Sequence, residues 1–282
     1  MSDFGGAVKK SSNYDLAVIG VPFDEKSSYL RGAAKGPAAI RAASTEAMIN
    51  PCTELGVDLA LDTVLVDLGD ISIKGGFFRL ASRLEEKITE IIKAKAVPFV
   101  LGGDHSISYP VVKAFAEKIK PLDILHFDAH PDMYDEFKGD PYSHACPFAR
   151  ILEEGLARHI VQVGIRAANS AQRKKAEKFG VEWIEMKDLL EKTSLEFSNP
   201  LYISFDIDAL DPAFAPGVSH CEPGGLSTRQ VINMIHKLNA EIVGMDVVEV
   251  NPDKDVSGIT ASAAVKIAME VMGKVVLSIQ LK

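Results

Sequence analysis

The chain has 282 residues, 47% of them apolar and 25% charged, which is the balance of a soluble globular protein and excludes a disordered or fibrous one. Thirty-one Lys and Arg face 39 Asp and Glu, and the net charge of -8 disfavours nucleic acid and suits a cationic partner. No uncharged apolar run reaches the ~18 residues of a membrane span, and Lys266, Glu270 and Lys274 interrupt the apolar C-terminal stretch. The first residues, MSDFGGAVKKSSNYD, lack the apolar core of a signal peptide, and Cys52, Cys146 and Cys221 are too scattered for a disulfide framework. A reducing cytoplasm is the expected compartment.

Residues 1–13 are polar and Gly/Ser-rich and read as a loose tail. From residue 14 to 282 the pattern reads as one domain with no repeat, low-complexity insert or Pro-rich linker. Short β-branched runs predict strands over 16–20, 64–68, 97–101, 124–127, 160–163, 201–205, 242–247 and 275–279. Between them, helices are predicted over 36–43, 80–94, 109–118, 147–153, 170–179, 227–238 and 260–272. Such alternation implies βαβ units and an α/β fold around a mostly parallel sheet. Several strands are apolar almost throughout, as strands covered on both faces are.

Four of these strands end in polar clusters: Gly102-Gly103-Asp104-His105, Asp128-Ala129-His130-Pro131-Asp132, Asp206-Ile207-Asp208 and Asp246-Val247-Val248-Glu249. Ligands of open parallel sheets bind outside the carboxyl ends of the strands. Carboxylates gathered there repel one another unless cations sit between them. Asp128 and His130 are two residues apart, as are Asp206 and Asp208, so each pair points to one side of its strand. Such a cluster can share carboxylates between two metal ions. By contrast, His126 lies inside its strand and reads as a satisfied core residue, and His159 and His236 as surface or helix residues.

GGDHS at 102–106, FDAHPD at 127–132, SFDIDALDPAFAPG at 204–217 and MDVVEVNP at 245–252 resemble, in order, the signatures of the ureohydrolase family of arginases and agmatinases. The resemblance extends from GVPFDEKSSYLRGAAKGPAAIR at 20–41 to the helix near 260–272, and its loops are closest to plant-type arginases and agmatinase-like bacterial enzymes. It implies a three-layer α/β/α fold, trimers or hexamers, and two Mn²⁺ per chain. One manganese would be held by His105, Asp128, Asp132 and Asp206, the other by Asp128, His130, Asp206 and Asp208. Oxygen ligands with two imidazoles fit Mn²⁺ without excluding Zn²⁺ or Co²⁺.

A guanidinium is a poor electrophile, but a water bridging two divalent ions becomes a hydroxide near neutral pH and attacks its carbon, releasing urea and an amine. Glu249 resembles the family carboxylate that pairs with the guanidinium, and His144 the histidine that protonates the leaving amine or shuttles protons.

The substrate tail departs from the animal arginase pattern. Tyr134 stands where those enzymes carry an Asn, and Asn169 where they carry an Asp for the α-ammonium. His220 and Glu222 sit where they could line the tail pocket. With no obvious carboxylate for an α-ammonium, the sequence favours agmatine, hydrolysed to putrescine and urea. Arginine is the alternative, followed by guanidinobutyrate and formiminoglutamate. Single-zinc amide hydrolases of related architecture lack the full ligand set, and a non-catalytic scaffold would be expected to have lost a ligand, His144 or Glu249.

Overall fold

In the computed structural model the described residues are 3–7, 11, 13–45, 48–189 and 195–281. Their strands are β1 (Leu16–Gly20), β2 (Leu65–Asp70), β3 (Val97–Leu101), β4 (Asp123–Phe127), β5 (His159–Ile165), β6 (Glu182–Glu185), β7 (Leu201–Asp206) and β8 (Ile242–Val248). Every pairing is parallel, and the sheet order is β2-β1-β3-β8-β7-β4-β5-β6. The helices are α1 (Gly36–Ala43), α2 (Phe77–Lys93), α3 (Ser108–Lys118), α4 (Pro147–Glu153), α5 (Ser170–Phe179), α6 (Thr228–Lys237) and α7 (Ile259–Gln280).

The apolar strands have no polar face because each face is covered. In β1, Leu16 and Val18 pack in the layer holding Ile40 of α1, Val231 of α6 and Val265 of α7. Ala17 and Ile19, pointing the other way, pack with Leu84 of α2, Val111 of α3, Phe148 of α4 and Ala176 of α5. Each Leu, Ile or Val so buried contributes about 1.5–3 kcal/mol. In α2 the buried residues Phe77, Leu80, Leu84, Ile88 and Ile91 recur every three or four positions, the spacing of one helix face. The α/β/α layering expected from the sequence is the layering observed.

Two assignments differ. The β-branched run at 275–279 is not a strand; it continues α7 to Gln280. Val275 and Val276 are buried there, so packing of a long helix against the sheet overrides β propensity. Gly273 does not break that helix, and it allows close approach, since a Cβ on it would lie 2.9 Å from Thr53 Cγ2. Conversely β6, the edge strand Glu-Trp-Ile-Glu, is too short and charged to announce itself. Within the segment read as a loose tail, Phe4 is buried and its N–H donates to Asp67 Oδ2 at 2.8 Å, so this part is anchored. Among the described residues no helix is long and apolar enough to cross a membrane, and all three cysteines are unpaired.

The anchor point is a buried ion pair. Arg41 of α1, 2% exposed, reaches across the end of β2 and donates to Asp67 from Nε (2.7 Å) and Nη2 (2.9 Å), and to Asp70 from Nη1 (2.5 Å). Removing one member of a buried pair leaves the other uncompensated, at a cost of about 3–5 kcal/mol. Arg41→Met is expected to lower the unfolding free energy by about that amount in urea titrations. A midpoint equal to wild type would show that the pair contributes nothing net.

Candidate metal centre and active site

The four motif-bearing strands are the adjacent central four, β3-β8-β7-β4, so motifs far apart in sequence meet at one carboxyl edge. Close backbone approach shapes the loops there. A Cβ on Gly103 would lie 1.9 Å from the Phe23 carbonyl oxygen, so only glycine lets segment 21–24 pass against the turn before His105. Asp132 (φ 50°) and Glu249 (φ 63°) hold left-handed backbone conformations that disfavour side chains, a strain of order 1–3 kcal/mol each that commonly marks functional sites.

His105, fully buried, directs Nδ1 toward Asp132 Oδ2 at 2.9 Å and toward Asp128 Oδ2 and Asp206 Oδ2 at 3.2 Å each. Yet this nitrogen has no hydrogen-bond partner among the described residues. Its other nitrogen, Nε2, lies 3.2 Å from Ser204 Oγ, which donates to Asp246 Oδ1 at 2.8 Å; Tyr202 Oη donates to the second Asp246 oxygen at 2.7 Å. Asp246 therefore orients His105 from behind and does not face the cluster. On the other flank His130 Nδ1 lies 3.1 Å from Asp208 Oδ2 and 3.4 Å from Asp128 Oδ1.

These groups perturb one another. Burial and the neighbouring Asp208 and Asp128 carboxylates push Asp206 well above the usual carboxylate range, and burial also raises Asp208. Burial also disfavours the Asp128 carboxylate, but the surrounding imidazoles of His126, His105 and His130 outweigh it and hold that group low. An orphaned imidazole lone pair facing three carboxylates, with further carboxylates behind, is a donor set for cations: the residues fit divalent metal ions. His126, the core histidine, donates from Nε2 to Asp128 Oδ2 at 2.8 Å, accepts from Gln162 Nε2 at 2.8 Å and stacks on Phe148 at 3.9 Å.

Beside the cluster opens a cavity of about 140 Å³ whose lining includes Asp132, Asp206, Asp208, His144, Glu249 and His220. His144 Nδ1 lies 3.2 Å from Glu249 Oε1, and Glu249 Oε1 also accepts the His105 N–H at 2.9 Å. Burial alone would lower the His144 pKa, but the Glu249 carboxylate lifts it to about 9; divalent ions nearby would oppose that rise. Tyr134 also lines the cavity. Asn169 does not: it caps α5 by accepting from Gln172 N, and its Nδ2 donates to Tyr134 Oη at 2.9 Å. Glu222 is not among the lining residues either; it lies 3.6 Å from His130 Nε2, and His130 lines the cavity. His130 and Ala145 line it as well, and Ser28, Phe137, Ala167 and Gln172 do so unforeseen, because they come from loops and a helix start that carry no chemical signature.

An all-parallel α/β sheet with a candidate metal centre at its carboxyl edge defines the class of protein. The model of the arginase family matches residues 14–273, and the chain belongs to this family, hydrolases of guanidino C–N bonds. It is 47% identical to "Arginase 1, mitochondrial" of Arabidopsis thaliana over 96% of this chain and 82% of that one. Among solved structures it is similar to an arginase from Medicago truncatula, with TM-score 0.86 and 43% identity over 93% of this chain and 88% of that one. It is also similar to a hypothetical agmatinase from Burkholderia thailandensis, with TM-score 0.87 and 31% identity over 99% and 92% of the two chains.

If cations relieve the repulsion in this cluster, added Mn²⁺ should raise the melting temperature, by about 2.7 kcal/mol of stabilisation at a hundredfold excess over Kd. Asp128→Ala should abolish most of that shift in a thermal scan with and without chelator. A melting temperature indifferent to divalent ions would refute the assignment.

Proposed function

We propose that the chain hydrolyses arginine to ornithine and urea. His105, Asp128, Asp132 and Asp206 would hold one Mn²⁺, and Asp128, His130, Asp206 and Asp208 a second. Bound there, such ions supply Lewis acidity, lowering the pKa of water and stabilising charge that develops during attack on the guanidinium carbon. Glu249, buried and fixed by the His105 N–H, pairs with the substrate guanidinium and orients its carbon toward the cluster. His144, which lines the cavity beside Glu249, carries the proton that the leaving amine requires.

The observation that carries the choice of arginine is the 47% identity to a plant arginase across nearly the whole chain, and it weighs against the agmatine preference drawn from the sequence. That preference assumed a tail pocket without partners. Because Asn169 donates to the Tyr134 oxygen, the Tyr134 O–H remains available to donate into the cavity, which suits a carboxylate. The Glu222 carboxylate, next to cavity-lining His130, suits an ammonium. Agmatine offers no acceptor for Tyr134; its supporting observation is the likeness to an agmatinase structure.

Urea release is to be measured side by side from arginine, agmatine, guanidinobutyrate and guanidinopropionate with Mn²⁺ present. Arginine should show the highest kcat/KM, and Tyr134→Phe should raise its KM several-fold while leaving agmatine unaffected. A kcat/KM for agmatine more than tenfold above that for arginine would reverse the assignment. Glu249→Gln should retain the metals but lose a hundredfold or more in kcat/KM, about 2.7 kcal/mol of transition-state stabilisation. Wild-type kinetics in that variant would remove Glu249 from the reaction.

A further inference from the structure

The proposed reaction uses His144, and this inference rests on that role. Segment 24–31, between β1 and α1, contributes Ser28 to the cavity lining and brings its Oγ to 2.8 Å from His144 Nε2, while His144 Nδ1 faces Glu249. We propose that Ser28 is a positioning residue for His144. A hydrogen bond on each ring nitrogen sets the ring plane and places its protons. When a guanidinium takes up Glu249, the Ser28 bond is the one that remains to hold the ring. The groups facing His144 are Glu249, the more distant Asp104 and Asp132, and the His220 ring stacked at 5.4 Å. Among these and Ser28, only Ser28 and Glu249 hydrogen-bond the ring.

The placement of Ser28 is over-determined. Buried Asp104 accepts from Lys26 N at 2.9 Å and from Ser27 Oγ at 3.4 Å, and Lys26 Nζ pairs with Asp140 at 2.6 Å. Lys138 Nζ donates to the Ser28 carbonyl at 2.8 Å, and His144 N donates to the Lys26 carbonyl at 3.3 Å. Asp24 closes the far end by accepting from Gly32 N at 2.7 Å. None of these bonds uses the Ser28 hydroxyl. Ser28→Ala therefore removes the bond to His144 and leaves the other anchors of segment 24–31 in place.

With Mn²⁺-loaded full-length protein and arginine, Ser28→Ala should lower kcat about tenfold or more with KM within about twofold, and Ser28→Thr should restore most of the loss. Combined with His144→Ala, the Ser28→Ala change should add little further loss, because both act on one group. Wild-type kcat in Ser28→Ala, or a loss that adds fully to that of His144→Ala, would overturn the role. If wild type releases urea from no guanidino compound, the functional reading has failed, and the contact is still read by ¹⁵N NMR of the His144 ring. The Nε2 signal should move in Ser28→Ala and not in Ser28→Thr; an unmoved signal in Ser28→Ala overturns the proposal.

Discussion

Mutual repulsion of buried carboxylates at one sheet edge is the constraint on which the rest of this structure depends. Asp128, Asp132, Asp206 and Asp208 are each at most 7% exposed and lie against two imidazoles. Folding such a cluster costs free energy, because charge is removed from water and like charges are brought together. The surrounding architecture supplies the compensation. Ala129 N donates to Asp208, His130 N to Asp128 and Asp208 N to Asp206, so the loop backbones solvate their own and one another's carboxylates. What these bonds leave over is the field that draws divalent cations.

The sheet order is what gathers these carboxylates. β7 and β8 come late in the chain yet lie between β3 and β4, which separates the early strands from the middle ones. That insertion makes the carboxyl ends of all four motif strands neighbours. It also puts Asp246, inside β8, one strand away from Ser204 of β7, so the pair can hold the outer nitrogen of His105. With Nε2 engaged, the Nδ1 lone pair is left for the cluster. Arg41 and Asp67 do comparable work at the far side, tying α1 and the N-terminal segment to β2.

The cluster was legible in the sequence because its residues sit in contiguous runs at strand ends, where residue type and spacing of two suffice. The residues that hold it were not. Ser204 and Ser28 are ordinary serines until folding brings them to His105 and His144 across 99 and 116 positions. Fold class was legible from apolar strands alternating with amphipathic helices. The end of α7 was not, since Val-Val-Leu-Ser-Ile satisfies either period and only packing chooses between them. The four-residue edge strand β6 buries too little to leave a pattern.

The tail side of the cavity likewise depends on contacts that only the fold makes. Asn169 carries no charge, and in the fold it contacts Tyr134 rather than lining the cavity. It spends its oxygen capping α5 and its amide hydrogens on the Tyr134 hydroxyl, which converts Tyr134 from a group satisfied as a donor into one with a proton to offer. Two neutral residues can thus prepare a donor for an anionic tail without a fixed cation in the pocket. Such a site discriminates by leaving a polar group unpaired when the wrong tail enters, a penalty of about 1–3 kcal/mol that is modest enough to let related guanidino compounds compete. On the proposed function, chemistry and selectivity are therefore set by different parts of the chain: the first by four central strands under strong electrostatic constraint, the second by loops after β4, β5 and β7 under little.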